Sequence, residues 1–116
     1  LVQSPLGRRM KAAQQEGRLF LEQPFAMSIP ASEKDPHFLD SDTIVVQGII
    51  DAFFYEGDGI ILVDYKTDQV QCAQELADKY HRQLDYYAQA LMRTTGKTVR
   101  EKIIYSVTLG REIVCE

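Results

Sequence analysis

The sequence predicts an α/β fold in which helices flank a central β-sheet, with α+β as the alternative that the order of elements leaves open. Residues 43–55 and 60–66 are rich in β-branched and aromatic side chains, as strands are. Residues 74–93 instead carry apolar side chains at helical spacing, and two shorter apolar segments follow. The predicted order is therefore one helix, three strands, one helix and two strands.

The first helix and strand are predicted from local signals. Ser4 and Pro5 form an N-cap and first-turn pattern, so a short helix is expected to run to Gln15 and to end at Gly17. Residues 18–28 alternate like a strand, and Pro24 predicts an edge position or a bulge. Its apolar side chains are expected on one face, opposite Glu22: Leu19, Leu21, Phe25 and Met27. The polar segment 30–42 is predicted to be a mobile loop.

A hairpin and a long helix follow. Residues 56–59, with glycines at two positions, are predicted to turn the chain between the two richest strands. The helix 74–93 has one apolar stripe and a C-cap at Gly96, and strands are predicted at 103–107 and 113–115. The stripe consists of Leu76, Tyr80, Leu84, Ala88 and Leu91.

Two acids and a lysine interrupt the hairpin strands. If the hairpin closes symmetrically, Tyr55 faces Ile60, Phe53 faces Leu62, and Asp51 faces Asp64. Side chains directly opposite in an antiparallel pair share a face, and the alternation adds Lys66 and Gln47 to it. An Asp-x-Lys triplet alone is common on solvated strands. Here it follows the wholly apolar run 60–63, which is typical of a buried strand.

Burying these charges is costly unless they are paired. Two facing carboxylates repel each other, and a bridging divalent cation would reverse that repulsion. The pattern therefore predicts a metal site, and with the lysine it predicts a metal-dependent nuclease.

Other polar residues have weaker claims. Gln83 and Tyr87 are four apart and share a face of the long helix, so Gln83 is either a solvated neighbour of a core tyrosine or a polar contact to the site. His81 and His37 are expected at the surface. Glu22 would reach a metal only if its strand lies beside the hairpin with the acid on the Asp51 face.

Composition limits the class of protein. The chain has 116 residues and a formal net charge of −4, which is typical of one modest domain and disfavours a broad DNA-coating surface. It contains no apolar run that could cross a bilayer and no signal peptide, so no membrane association is expected. Cys72 and Cys115 lack ligand spacing. We therefore expect reduced cysteines in a cytosolic protein, with no iron–sulfur cluster and no zinc.

Three ordered motifs carry a family resemblance: residues 48–51 read Gly-Ile-Ile-Asp, residues 64–67 read Asp-Tyr-Lys-Thr, and residues 83–87 read Gln-Leu-Asp-Tyr-Tyr. The chain resembles the RecB-type branch of the PD-(D/E)XK nucleases, which carries Gly-x-x-Asp, Asp-Tyr-Lys and Gln-x-x-x-Tyr in this order. Segments 3–9 and 22–25 are more narrowly similar to the C-terminal nuclease domain of the AddA subunit of AddAB-type helicase–nucleases. The resemblance implies a restriction-endonuclease-like fold with a central mixed β-sheet flanked by helices.

The resemblance also implies roles for individual residues. Asp51, Asp64 and the backbone carbonyl of Tyr65 would bind Mg²⁺, for which Mn²⁺ could substitute, and Lys66 would act on the attacking water and the phosphate. Support of the site and of the DNA strand would come from four residues: Gln83, Tyr87, Gln47 and Thr67.

The implied activity is phosphodiester hydrolysis. In the parent complexes it degrades DNA, as a single strand at unwound ends, during recombinational repair of double-strand breaks. The implied partners are DNA and the second subunit of a helicase–nuclease heterodimer in the bacterial cytoplasm. The alternative from another class is a catalytically silent nuclease fold that serves as a DNA-binding or subunit-docking scaffold.

The chain departs from the family in one respect. Relatives use a histidine on an upstream helix as a metal ligand, and neither His37 nor His81 stands at the matching place. No complete Gly-x-x-x-x-Gly-Lys-Ser/Thr phosphate loop occurs either. Residues 1–116 are therefore expected to be a single fragment of a nuclease domain, without its upstream helix and without the helicase.

Overall fold

A computed structural model describes residues 4–39 and 41–115. The predicted order of elements is confirmed, with one short 3-10 helix added after the first strand. The helices are α1 (Pro5–Gln15) and α2 (Ala73–Thr95), and the 3-10 turn spans Ala31–Glu33. The strands are β1 (Leu19–Pro30), β2 (Thr43–Glu56), β3 (Gly59–Lys66), β4 (Val99–Ser106) and β5 (Arg111–Cys115).

The five strands form one mixed sheet in the order β1-β2-β3-β4-β5. β3 and β4 pair in parallel, and the other neighbours pair antiparallel. A parallel pair requires a long crossover, and α2 provides it. The predicted α/β fold with a central mixed sheet flanked by helices is therefore confirmed.

Each helix covers one face of the sheet. α1 packs Leu6, Met10 and Ala13 against residues such as Phe54 and Val63 on one side. α2 covers the other side with its predicted stripe, which meets side chains from β2 to β5. The hairpin strands β2 and β3 lie between the two helices, so their side chains near the site are shielded on both faces.

The predicted caps are found at the start of α1 and at the end of α2. The Ser4 side chain accepts a hydrogen bond from the Gly7 backbone N–H at 2.9 Å. Gly96 ends α2 with φ 72°, a conformation that glycine adopts at little cost. The tripeptide 96–98, Gly-Lys-Thr, therefore follows the end of a helix, whereas a phosphate loop precedes one.

The prediction for β1 was partly wrong. Leu19 packs on the α1 side, whereas Phe25 and Met27 pack on the α2 side, so the four apolar residues do not share a face. Glu22 lies between them with φ 52°, outside the extended region, and this residue resets the alternation. β1 is an edge strand, as Pro24 predicted.

Other differences are local. Of the two glycines in the predicted β2–β3 turn, only Gly57 has a positive φ, and Gly59 already pairs with Glu56. β4 begins four residues before the predicted strand. The segment 30–42 contains the 3-10 turn, while Asp40 lies outside the described residues. In the part of the chain that the structure describes, neither helix is long and apolar enough to cross a bilayer.

Candidate metal centre

The β2–β3 hairpin brings the two acids together. Its register pairs Tyr55 with Ile60 and Phe53 with Leu62, as predicted, and the ladder ends at Ala52 and Val63. Asp51 and Asp64 follow directly on the two strands. Just beyond the ladder, the Tyr65 backbone N–H donates a hydrogen bond to the Asp51 side chain, with 2.9 Å between the nitrogen and Asp51 Oδ2.

Asp64 is the buried acid of the pair. Only 3% of its surface is exposed. Burial, reinforced by the neighbouring Asp51 carboxylate and opposed by Lys66, raises the pKa of Asp64 to about 6. The fold therefore holds this carboxylate in a place that disfavours its charged form.

Lys66 connects Asp64 to α2. Its Nζ lies 2.8 Å from Asp64 Oδ2 and donates a hydrogen bond to Gln83 Oε1, also at 2.8 Å. The same ammonium stands 4.1 Å from the centre of the Tyr80 ring, within cation–π range. An acid, an amide and an aromatic face thus fix the position of one cation.

Tyr80 is itself anchored. Its hydroxyl lies 2.9 Å and 3.1 Å from the two carboxylate oxygens of Asp68, to which it donates. Lys79 pairs with the same carboxylate at 2.7 Å. The ring that faces Lys66 is therefore fixed at its far end by Asp68. Sequence reasoning assigned Tyr80 to the apolar stripe and overlooked this contact, although Tyr80 lies three residues before Gln83 and so on the same helix face.

The acids fit a hard divalent cation. Asp64 Oδ2 is buried, and its charged contact is the ion pair with Lys66 Nζ at 2.8 Å, beside the Asp51 carboxylate. Two adjacent carboxylates repel each other at a buried position, and a divalent cation would reverse that repulsion. Carboxylate oxygens are the ligands that Mg²⁺ and Mn²⁺ prefer. Across residues 4–39 and 41–115, no three His, Cys, Asp or Glu side chains converge as a metal cage, so the protein carboxylates at this centre are Asp51 and Asp64.

Three further predicted site residues are Tyr87, Gln47 and Thr67. Tyr87 packs edge-on against Phe25, with ring centres 5.2 Å apart. Burial and the Asp64 charge raise the pKa of Tyr87, which places its hydroxyl in the field of the centre. Gln47 borders a groove with Gln83 and Tyr87, but it is exposed and alternates with Val46 and Ile50, which pack towards α2, so the prediction that it shares the face of Lys66 was wrong. Thr67 is exposed, and its carbonyl accepts a hydrogen bond from Thr108 beside the β4–β5 turn.

Three other candidates lie outside the centre. His37 is 94% exposed at its side chain and pairs with Asp35. His81 is exposed on a different part of α2, beside Asp78 and Cys115. Glu22 lies on the strand beside β2, between residues that pair with Ala52 and Ile50, yet its side chain is exposed and joins no metal-binding group of the described residues.

Gly48 explains the glycine of the first motif. A Cβ at this position would lie 3.2 Å from the Phe25 ring and 3.6 Å from the Tyr87 ring. The glycine therefore lets two aromatic rings approach the β2 backbone, three residues before Asp51.

Comparison with known proteins places the chain among nucleases. A family described as the PD-(D/E)XK nuclease superfamily matches residues 2–113. Proteins named as subunits of an ATP-dependent helicase/nuclease are similar over most of the chain. One from Lachnoclostridium phytofermentans is 37% identical over 96% of the chain, and one from Clostridium botulinum (strain 657 / Type Ba4) is 41% identical over 95%.

These relatives are much longer proteins. The chain spans 11% of the Lachnoclostridium phytofermentans protein and 9% of the one from strain 657 / Type Ba4. A further relative from Clostridium botulinum (strain Okra / Type B1) is 40% identical over 79% of the chain and 8% of its own length. The similarity thus concerns one small part of each relative.

Proposed function

The chain belongs to the PD-(D/E)XK nuclease superfamily, and on that premise we propose that it is a metal-dependent deoxyribonuclease domain that hydrolyses phosphodiester bonds at the Asp51–Asp64–Lys66 centre. The observation that supports this most directly is the adjacency of two carboxylates at a buried position, where burial and the neighbouring Asp51 both disfavour the charged form of Asp64. One ammonium beside two carboxylates leaves negative charge uncompensated, and a bound divalent cation would offset it.

Each residue has a defined task in the proposed reaction. Asp51, Asp64 and the Tyr65 carbonyl would hold Mg²⁺ or Mn²⁺, which supplies Lewis acidity and lowers the pKa of a water molecule when bound. Lys66 places a positive charge beside the acids and stabilises the negative charge that develops on the phosphate. Gln83 and Tyr80 keep the flexible lysine side chain in that position.

The wider biology is proposed from the relatives. Their name describes one subunit of an ATP-dependent helicase/nuclease, which supports a role for this chain in a complex that unwinds and cuts DNA. We propose that it acts as an exonuclease on a single strand at unwound ends, with the other subunit of a heterodimer, during repair of double-strand breaks in the bacterial cytoplasm.

Metal titration tests the proposed centre. Isothermal calorimetry with Mn²⁺ and with Mg²⁺ should show binding to the parent chain and none to Asp51→Ala. Asp58→Ala is the matched control, because Asp58 is an exposed acid in the turn of the same hairpin. Equal binding by the parent and Asp51→Ala would contradict the assigned metal site.

A cleavage assay tests the activity. With Mg²⁺ or Mn²⁺, a labelled single strand should be cut by the parent and by Asp58→Ala, but not by Asp64→Asn or Lys66→Met. Metal binding without cleavage would favour the silent scaffold.

A further inference from the structure

A groove beside the metal centre combines positive charge with aromatic surface. It has a volume of about 300 Å³ and lies between α2 and the distal halves of β1 and β2. Among the described residues, its walls include two cations, two amides and two tyrosines, and no carboxylate: Lys34, Arg82, Gln47, Gln83, Tyr86 and Tyr87. This composition stands out in a chain whose formal net charge is −4.

The two groove cations lack anionic partners. In the described part of the chain, neither Lys34 nor Arg82 forms an ion pair, whereas Lys66, Lys79 and Lys102 each pair with an aspartate. Lys34 instead stands 5.6 Å from the centre of the Tyr86 ring. Unpaired cations can bind the phosphates of a nucleic acid, and an aromatic face beside them can stack on a base.

Gln83 joins the groove to the metal centre. Its Oε1 accepts the hydrogen bond from Lys66, and its side chain also lines the groove. Tyr87 lines the groove while lying in the field of Asp64. A polymer that leaves the metal centre along α2 would therefore enter this groove directly.

We propose that this groove binds the single-stranded nucleic acid next to the bond that is cut. Lys34 and Arg82 contact its phosphates, and Tyr86 stacks on a base. The occupant is single-stranded because the bases of a duplex are stacked on each other and leave no free face for Tyr86. This inference rests on the proposed function and adds the path of the strand to it.

The salt dependence of binding tests the role of the cations. We would measure the anisotropy of a fluorescein-labelled oligothymidine in EDTA, where it is not cut, from low to moderate salt. Each phosphate contact on a single strand contributes roughly 0.7 to the slope of log K against log salt. Arg82→Gln and Lys34→Gln should each lower the slope by about that amount and the double variant by about twice as much. At low salt each single variant should bind several-fold more weakly.

Lys97→Gln provides the matched control. Lys97 is also exposed and has no ion pair in the described chain, but it follows the far end of α2. Its slope should equal that of the parent. Tyr86→Leu should weaken binding about tenfold at every salt concentration and leave the slope unchanged, because stacking is not ionic. A blunt duplex should bind more weakly than the single strand and should not respond to Tyr86→Leu.

The outcomes separate the two proposals. If the parent binds the strand but the slopes of Arg82→Gln and Lys34→Gln match the parent, the groove proposal is wrong and the nuclease proposal stands. If the parent binds no strand at any salt concentration, the groove proposal is also wrong. The cleavage assay then decides the nuclease proposal separately. Thermal melting of each variant confirms that the compared chains are folded.

Discussion

Lys66 places its ammonium 4.1 Å from the centre of the Tyr80 ring, and Tyr80 is held from behind by Asp68. Lysine is a flexible side chain with a compact charge, so its position depends on its neighbours. The Lys66 ammonium is held by a hydrogen bond to Gln83 and by an ion pair with Asp64. The Tyr80 ring adds a third contact, which further restricts its position.

Replacing Tyr80 tests this restriction. Tyr80→Leu removes the aromatic face and should lower kcat by about 5- to 30-fold, because a partly desolvated cation–π contact contributes roughly 1–2 kcal/mol. Tyr80→Phe keeps the ring and should retain most of the activity. The KM for DNA and the affinity for metal should change little in either variant. Equal losses of kcat in both variants would assign the effect to the hydroxyl and Asp68, and not to the ring.

Asp64 makes the metal-free protein less stable as pH rises. The pKa of its carboxyl group rises from an ordinary value of 3.8 to about 6 in the folded protein, so the folded state disfavours the charged form. The resulting decrease in the free energy of unfolding is absent below about pH 4 and grows between pH 4 and 6. It is complete above pH 6, where it reaches at most about 3 kcal/mol. Asp64→Asn should therefore raise Tm in EDTA at pH 8 and have little effect at pH 4.

The same variant responds differently to metal. Mn²⁺ should raise the Tm of the parent by mass action and leave that of Asp64→Asn nearly unchanged. Differential scanning calorimetry with and without Mn²⁺ measures both effects. A lower Tm for Asp64→Asn in EDTA at pH 8 would indicate that Asp64 serves the fold through its pair with Lys66.

Gln83 is expected to act through Lys66. Gln83→Leu removes the acceptor of the Lys66 hydrogen bond and should lower kcat about 10- to 150-fold, since a hydrogen bond to a charged group contributes about 1.5–3 kcal/mol. Gln83→Glu retains an acceptor and should recover part of the loss. Gln89→Leu, on the same helix, is the control and should behave like the parent. Unaltered kcat in Gln83→Leu would show that Lys66 keeps its position without the amide.

Gly48→Ala tests the close packing behind Asp51. The new methyl group would lie 3.2 Å from the Phe25 ring, so the ring must move by a few tenths of an ångström. Overpacking of this kind costs about 1–3 kcal/mol, measurable by urea denaturation. Adding Phe25→Leu should relieve the crowding, and the double variant should be less destabilised than the sum of the two single variants. Strict additivity would show that the ring does not oppose the methyl group.

The sequence predicted the hairpin well because its signals are local. A two-residue turn and alternating side chains set the register as far as Ala52 and Val63, one residue short of Asp51 and Asp64, whose carboxylates still meet. The early start of β4 was missed because residues 100–102 are all charged and resemble a loop. In the fold, Arg9 binds Glu101 and Asp85 binds Lys102, so these charges are paired across elements that the sequence separates widely.

The kink in β1 and the contact of Tyr80 with Lys66 were missed for a related reason. Glu22 has a positive φ, for which glutamate has no local preference. Tyr80 fits an apolar stripe equally well whether its ring faces the core or a cation. Both features depend on tertiary packing, which residue spacing does not encode.

The irregular course of β1 also bears on how the protein avoids its own aggregation. As an outermost strand, β1 presents a row of backbone groups that a strand from another copy could extend. Pro24 has no N–H to offer, and two residues earlier Glu22 turns the backbone out of the extended conformation. These two neighbours interrupt the free edge near its middle, so it is a poor template for intermolecular sheet growth.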